Sequence, residues 1–176
     1  MSLADSFSAD FVAGVDQAFL GDRIISAAVL LGPSGQVVDR ASCTMKAAFP
    51  YVPGLLSFRE GPAAIRAVRR LSPRPTLLFV DGCGINHPRK AGLACFVGIM
   101  LDLPTIGITK NVLCGQSEPP EKGGTSPPLV YKGEQVGYLL KSKDGCRPIV
   151  VAPATAYAQR SSSISRHRII PSILRA

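Results

Sequence analysis

The chain has no tryptophan, only 12 Asp+Glu, only two histidines and no long apolar run. Each shortage excludes something. The longest apolar stretch, around Ile24 to Leu31, falls far short of the roughly 20 residues a membrane helix needs. The five cysteines, Cys43, Cys83, Cys95, Cys114 and Cys146, are scattered and form no Cys-x-x-Cys pair. Neither a disulfide framework nor a zinc knuckle is therefore expected, and reduced cytosolic thiols fit best. The opening Met-Ser-Leu-Ala-Asp-Ser-Phe lacks the basic start and apolar stretch of a signal peptide. The reading is a soluble, cytoplasmic protein without membrane contact, expected as a monomer. No internal repeat occurs.

What is there is a basic, globular composition. At 176 residues the chain is expected to form a single domain over residues 1–176, long enough to bury a core without crosslinks. Apolar residues make up 46% and charged residues 18%, which is the balance of an ordinary folded interior. The 20 Lys+Arg give a net charge of +8. That excess points towards nucleic acid or another anionic surface, although a basic balance also serves plain solubility.

Hydrophobic patterning divides the chain. Residues 11–20 and 24–31 read as strands joined at Gly21-Asp22, and Pro33-Ser34-Gly35 turns into a third strand from about Gln36 to Lys46. Three strands with short turns predict an antiparallel meander. The period then changes: Ala64, Ile65, Val68 and Leu71 share one face of a helix over 57–71, and Ser-Pro-Arg-Pro at 72–75 stops it. A buried strand is predicted over 76–80, a second helix opening at Pro88 and running through Met100, and a strand over 104–109. Residues 115–128, rich in Pro and Gly, read as a mobile loop. A hairpin over 129–141 and a strand over 148–151 follow. The order βββαβαβ predicts an α/β, ribonuclease H-like architecture, a central mixed sheet of the five-stranded type flanked by helices.

The acids are few, so their placement is informative. Asp16 follows Val12-Ala13-Gly14-Val15, Asp81 follows Leu77-Leu78-Phe79-Val80, and Glu60 closes Ser57-Phe58-Arg59-Glu60. An acid at the end of a buried strand needs a cation, a hydrogen-bond cage or a partner. If the first and fourth strands pair, Asp16 and Asp81 become neighbours and Glu60 joins them from the helix. Three such acids suit Mg²⁺, which prefers oxygen ligands and promotes phosphate displacement. Plainer readings stand beside this one. Ser57 to Glu60 also spells a capping box, with equal weight on spacing alone, and Asp16 and Asp81 also serve as turn residues.

Three further stretches stand out. In Asp81-Gly82-Cys83-Gly84-Ile85-Asn86-His87-Pro88 the glycines permit close backbone approach to a ligand, but the spacing is neither a P-loop nor a dinucleotide fingerprint. His87 either caps the following helix or meets a phosphate. Pro50-Tyr51-Val52-Pro53-Gly54 holds an aromatic on a stiff loop, which suits a wedge between bases or a tyrosine packed on the core. Lys110, after the strand over 104–109, either meets a phosphate beside the acids or is simply solvated.

These blocks together resemble the endonuclease V family. The match runs over Val12–Asp16, Pro50–Glu60, Asp81–Gly84, His87-Pro88-Arg89, Gly92-Leu93-Ala94, Pro104–Gly107 with Lys110, Gly137-Tyr138 and Pro148-Ile149, roughly residues 11 to 153. The resemblance implies a ribonuclease H-like, Mg²⁺-dependent DNA repair endonuclease, with Mn²⁺ as a substitute ion. Its substrate would be DNA containing deoxyinosine, nicked at the second phosphodiester bond 3′ to the lesion to leave 3′-hydroxyl and 5′-phosphate ends. Carried over by motif, Asp16, Glu60 and Asp81 would bind the metal, and His87 and Lys110 would serve the phosphate side with Arg59 in support. Tyr51, within Pro50, Val52 and Pro53, would be the wedge. Gly54, Leu56, Gly82, Gly92 and Leu93 would line the hypoxanthine pocket.

The chain departs from the family pattern in places. Ala154-Thr155 stands where Gly-His is usual, Cys83 where histidine is common, His167 lies in another context, and the segment 154–176 is short. The Ala154-Thr155 change sets up one alternative, an inosine-binding module with weakened catalysis; another is a nuclease of the same fold preferring RNA, inosine-containing RNA in particular, or branched DNA.

Overall fold

The computed structural model describes residues 10–154. Strands β1 (Val12–Leu20), β2 (Arg23–Leu31) and β3 (Val37–Lys46) form the expected antiparallel meander. The first turn closes at Leu20↔Arg23, with Gly21 at φ 60°, a conformation glycine adopts at little cost. Then follow α1 (Leu56–Val68), β4 (Leu77–Asp81), α2 (Leu93–Leu101) and β5 (Thr105–Thr109). The chain ends its described part with β6 (Pro128–Tyr131), β7 (Glu134–Leu140) and β8 (Ile149–Pro153).

The sheet order is β3-β2-β1-β4-β5-β8-β7-β6. Its first five strands are the predicted mixed core, with β1, β4 and β5 parallel. The later strands do not stand apart. β8 pairs antiparallel with β5, so among the described residues the sheet has eight strands, three more than the core alone. Alternation along the strands assigns the faces. Ala13, Val15, Ala28, Leu30, Leu78 and Val80 turn towards α1 and α2 in the main core. Leu77, Ile106, Leu140 and Val151 pack on the other side, with Val12 and Phe79 beside them.

Both helices differ from the periodicity reading at their ends. α1 stops at Val68, and Arg69 to Leu71 continue only as turns. α2 starts at Leu93 rather than at Pro88. Pro88 instead sits in a turn in which the Lys90 N–H reaches the His87 carbonyl at 2.7 Å and Lys90 takes φ 52°. Gly92, fully extended, precedes the helix. The capping reading of Ser57 and Glu60 falls as well: Leu55 precedes α1, and no side chain bonds that end.

Residues 115–128 carry no regular element beyond the bridge Gln116↔Val130 and the first residue of β6. They lie along β7 through Gly124 N–H to Lys141 O (2.7 Å), Lys141 N–H to Thr125 O (3.0 Å) and Leu139 N–H to Pro127 O (2.9 Å). Among the described residues no helix is long and apolar enough to cross a membrane. Ala154 is fully buried and donates its N–H to Thr105 O at 3.0 Å. Thr155, His167 and the rest of the C-terminal segment lie outside the described residues.

Candidate active site

The acids gather where β4 ends beside the middle of β1. β1 and β4 run in register through Val15↔Val80, so the next residues, Asp16 and Asp81, stand side by side. Glu60, one turn into α1, approaches from the helix layer. Burial pushes the Asp81 carboxyl above its ordinary range, with the charge of Asp16 and a hydrogen bond to it acting the same way; Lys110 pulls it back. Burial likewise raises Glu60, opposed by Arg59 and reinforced by Asp81 and Asp16. Glu60 thus feels both aspartates, and Asp81 feels Asp16.

This is a shared field rather than a closed ligand shell. Among the described residues no three His, Cys, Asp or Glu side chains are placed to grip one ion as they stand. Asp16 spends Oδ1 on the N–H of Gln17 at 2.6 Å. What the backbone supplies is convergence, and crowded carboxylates are relieved by a divalent cation. The donors are all oxygen, the set that Mg²⁺ and Mn²⁺ accept.

Two cations flank the acids differently. Lys110, exposed just past β5, lines a groove with Phe79, Asp81, Ile108 and Ile149. Arg59 turns away from it. Its guanidinium lies 4.6 Å from the centre of the Phe19 ring and donates to Phe49 O at 3.1 Å. It thereby ties β1, the approach to the Pro50–Gly54 loop and α1 together, while its charge steadies Glu60.

Beside this centre opens a cleft of about 400 Å³. One wall is the loop Tyr51-Val52-Pro53-Gly54 with Leu56, and the other is His87, Gly92 and Leu93. Tyr51 is 69% exposed, so it is not packed on the core. Pro50, Arg59 and Gly82 lie outside the lining. Gly82 works from behind: a Cβ there would stand 2.9 Å from Cβ of Leu93, so its absence lets Leu93 seat. At Gly92 a Cβ would fall 2.1 Å from the Cys83 carbonyl oxygen, which leaves glycine alone able to close that wall.

His87 belongs to the cleft wall and is nearly buried. Burial lowers its pKa, and the neighbouring Arg89 adds to that. Its Nδ1 accepts the Arg89 N–H at 3.2 Å, so the neutral ring carries its proton on Nε2 as a donor.

Reading the sequence missed five lining residues: Ser57, Cys83, Pro88, Arg89 and Leu113. Leu113 is 54% exposed, and an apolar residue just past Lys110 with no helical or strand period was the available signal. The Cys83 thiol is pushed up to about 11 by burial, then by Cys114 and Cys95. It presents a neutral S–H to the cleft.

The chain is similar to a described family. The model of the Endonuclease V family matches residues 1–170. The Endonuclease V of Nostoc punctiforme is 43% identical over 146 residues, covering 81% of this chain and 66% of that protein. That of Methanopyrus kandleri is 47% identical over 146 residues, covering 82% and 63%. The chain thus spans just under two thirds of the length of these curated relatives. Among solved structures, the Endonuclease V of Streptomyces avermitilis superposes with a TM-score of 0.77 at 38% identity, covering 82% of this chain and 65% of that one. A Ciona intestinalis Endonuclease V, solved with a DNA containing an inosine, shares the fold at 22% identity and TM-score 0.71, covering 84% and 72%.

Proposed function

The chain belongs to the endonuclease V family, and on that premise we propose that it is a divalent-metal-dependent endonuclease directed at deoxyinosine in DNA. The observation that carries this reading is the juxtaposition of an acidic centre, Asp16, Glu60 and Asp81, with an apolar cleft walled by glycine and flanked by an exposed tyrosine. The net charge of +8 suits a polyanionic substrate.

Asp16, Glu60 and Asp81 would hold the ion, Mg²⁺ or Mn²⁺. Bound there, a divalent cation supplies Lewis-acid chemistry that activates water and offsets charge growing on a phosphate. The remaining work falls to the protein. Tyr51, braced by Pro50 and Pro53, enters the stack where the target base leaves it, at an unstacking cost of a few kcal/mol. A deaminated base pairs weakly and is the cheapest to extrude. Its flat ring enters between Leu56 and Leu93, where exposed Gly54 offers its backbone and Gly92 adds no side chain to the wall. Hypoxanthine lacks guanine's exocyclic amine, so a narrow wall accepts it. His87 offers an Nε2 donor within the same wall, and Lys110 neutralises phosphate charge next to Asp81. Water adds to phosphorus and the bond to the 3′-oxygen breaks, leaving 3′-hydroxyl and 5′-phosphate ends at the second phosphodiester 3′ to the lesion. A monomer in the cytoplasm is consistent with this role.

The test is a 5′-labelled duplex carrying one deoxyinosine, incubated with Mg²⁺ and run against a size ladder. A single nick two phosphodiesters 3′ to the lesion is expected. Lesion binding without a nick would instead assign the chain as a binding module, and cleavage confined to inosine RNA would reassign its substrate.

A further inference from the structure

Asn86 is 1% exposed in the turn between β4 and α2, and neither the acids nor the cleft lining uses it. Its Oδ1 accepts the buried Gly84 N–H at 2.8 Å. That contact settles the amide's orientation, because only the oxygen can accept. Among the described residues its Nδ2 is buried with no hydrogen-bond partner.

The turn it grips is packed without slack. A Cβ on Gly84 would stand 2.4 Å from Pro153 O and 2.8 Å from Ala152 O, so its backbone lies flat on β8. The next N–H, from Ile85, reaches Pro153 O at 2.9 Å. Gly84 then acts outward, because its carbonyl accepts the Gly92 N–H at 3.1 Å. The adjoining Cys83 carbonyl accepts from Ala94 at 3.0 Å. Gly92 is part of the cleft wall and already sits against that Cys83 carbonyl. A line of contacts thus runs from Asn86 through the Gly84 peptide to Gly92. Without the Oδ1 cap, the Gly84 N–H is left unpaired in the interior, and the peptide is free to rotate towards another acceptor. Any such rotation moves Gly92.

We propose that Asn86 is a positioning residue for base selection: by capping the Gly84 N–H it holds Gly92 against Cys83 and fixes the width of the cleft that admits the extruded base. The inference rests on the inosine-directed reading of that cleft, but not on cleavage.

The test is equilibrium binding in EDTA of two labelled duplexes, identical except for one deoxyinosine in place of deoxyadenosine. Wild type, Asn86→Ala and Asn86→Asp are compared. Wild type is expected to prefer the inosine duplex. Asn86→Ala is expected to lose roughly ten-fold of that preference while its affinity for the adenine duplex, carried by phosphate contacts, stays unchanged. Asn86→Asp keeps an oxygen at the capping position and is expected to retain most of the preference. A residue that only supports the fold would lower the melting temperature and leave the preference of the folded fraction intact. An unchanged preference in Asn86→Ala, or equal losses in both variants, overturns the proposal. Should Asn86→Ala not fold, Asn86→Ser, polar but too short to reach, replaces it with the same criterion. A wild type without preference overturns the inosine reading itself, and this inference with it; a preference in wild type that no variant alters overturns this inference alone.

Discussion

Asp16 and Asp81 stand beside each other one residue past the Val15–Val80 pair of two parallel strands, and the charge of the first helps hold the carboxyl of the second above its usual range. Two like charges side by side, one mid-way along β1 and one at the end of β4, are a standing electrostatic cost. The fold keeps them together because the parallel register is dictated by Ala13, Val15, Leu78 and Val80 in the core beneath. On the proposed reading, the stability given up here is what a bound cation restores.

Removing one of these charges is therefore expected to stabilise the metal-free protein. Asp81→Asn should raise the melting temperature in EDTA by the equivalent of at most about 1 kcal/mol, since the carboxyl is exposed and screened by solvent, and added Mg²⁺ should raise it for wild type but not for the variant. The pH dependence has a definite sign. Asp81 and Glu60 are raised in the folded state, so the folded protein binds protons more tightly than the unfolded chain. Their penalty is absent below the unfolded carboxylate range near about pH 4. It grows as pH rises through the elevated folded values. Melting curves of wild type against Asp81→Asn across that window isolate the contribution.

Tyr51 is exposed, so its loss should spare the fold. Tyr51→Ala is expected to change unfolding free energy by less than about 0.5 kcal/mol. It should weaken binding to a deoxyinosine duplex by roughly ten-fold, the worth of one stacked aromatic. Tyr51→Phe should recover most of that loss. Fluorescence anisotropy with the three proteins checks it.

Gly92 and Gly54 make a controlled pair. Gly92→Ala places a methyl 2.1 Å from a backbone oxygen, so the wall must open or the helix must shift. Gly54, at φ 79°, faces open space, and its alanine variant meets only backbone strain of about 1–2 kcal/mol. Denaturant titrations should rank Gly92→Ala as the more destabilised by at least about 2 kcal/mol, with lesion binding lost in addition.

His87 titrates in the opposite sense to the acids. Its folded pKa is lowered by burial, so protonation favours the unfolded chain. Stability is expected to fall as pH drops below about 6.5, the ordinary imidazole value, and His87→Gln should flatten that slope. Chemical denaturation at pH 5 and pH 8 for both proteins measures the difference.

Much of this was readable in advance, and the reasons are local. The strands around Asp16 and Asp81 are dense in Val, Leu and Phe, so their existence and ends follow from composition within a residue or two. The convergence of Asp16 with Asp81 needed only that β1 pair with β4. What escaped depends on tertiary placement. Pro88 carries a helix-start signal, yet Lys90 and Gly92 adopt backbone angles that postpone α2 to Leu93. β8 joins the sheet between β5 and β7, a pairing that no local pattern announces. Cys83 and Leu113 line the cleft only because two loops far apart in sequence approach each other. Asn86, polar and in a glycine-rich turn, looks like a surface residue until its burial is seen.

The claim on which the rest depends is that Asp16, Glu60 and Asp81 form one cation site. Titration of Mn²⁺ followed by electron paramagnetic resonance, on wild type, Glu60→Gln and Asp81→Ala, addresses it most directly. Wild type is expected to bind at least one ion, with affinity reduced about ten-fold or more in each variant. Equal Mn²⁺ binding by all three proteins would contradict the account.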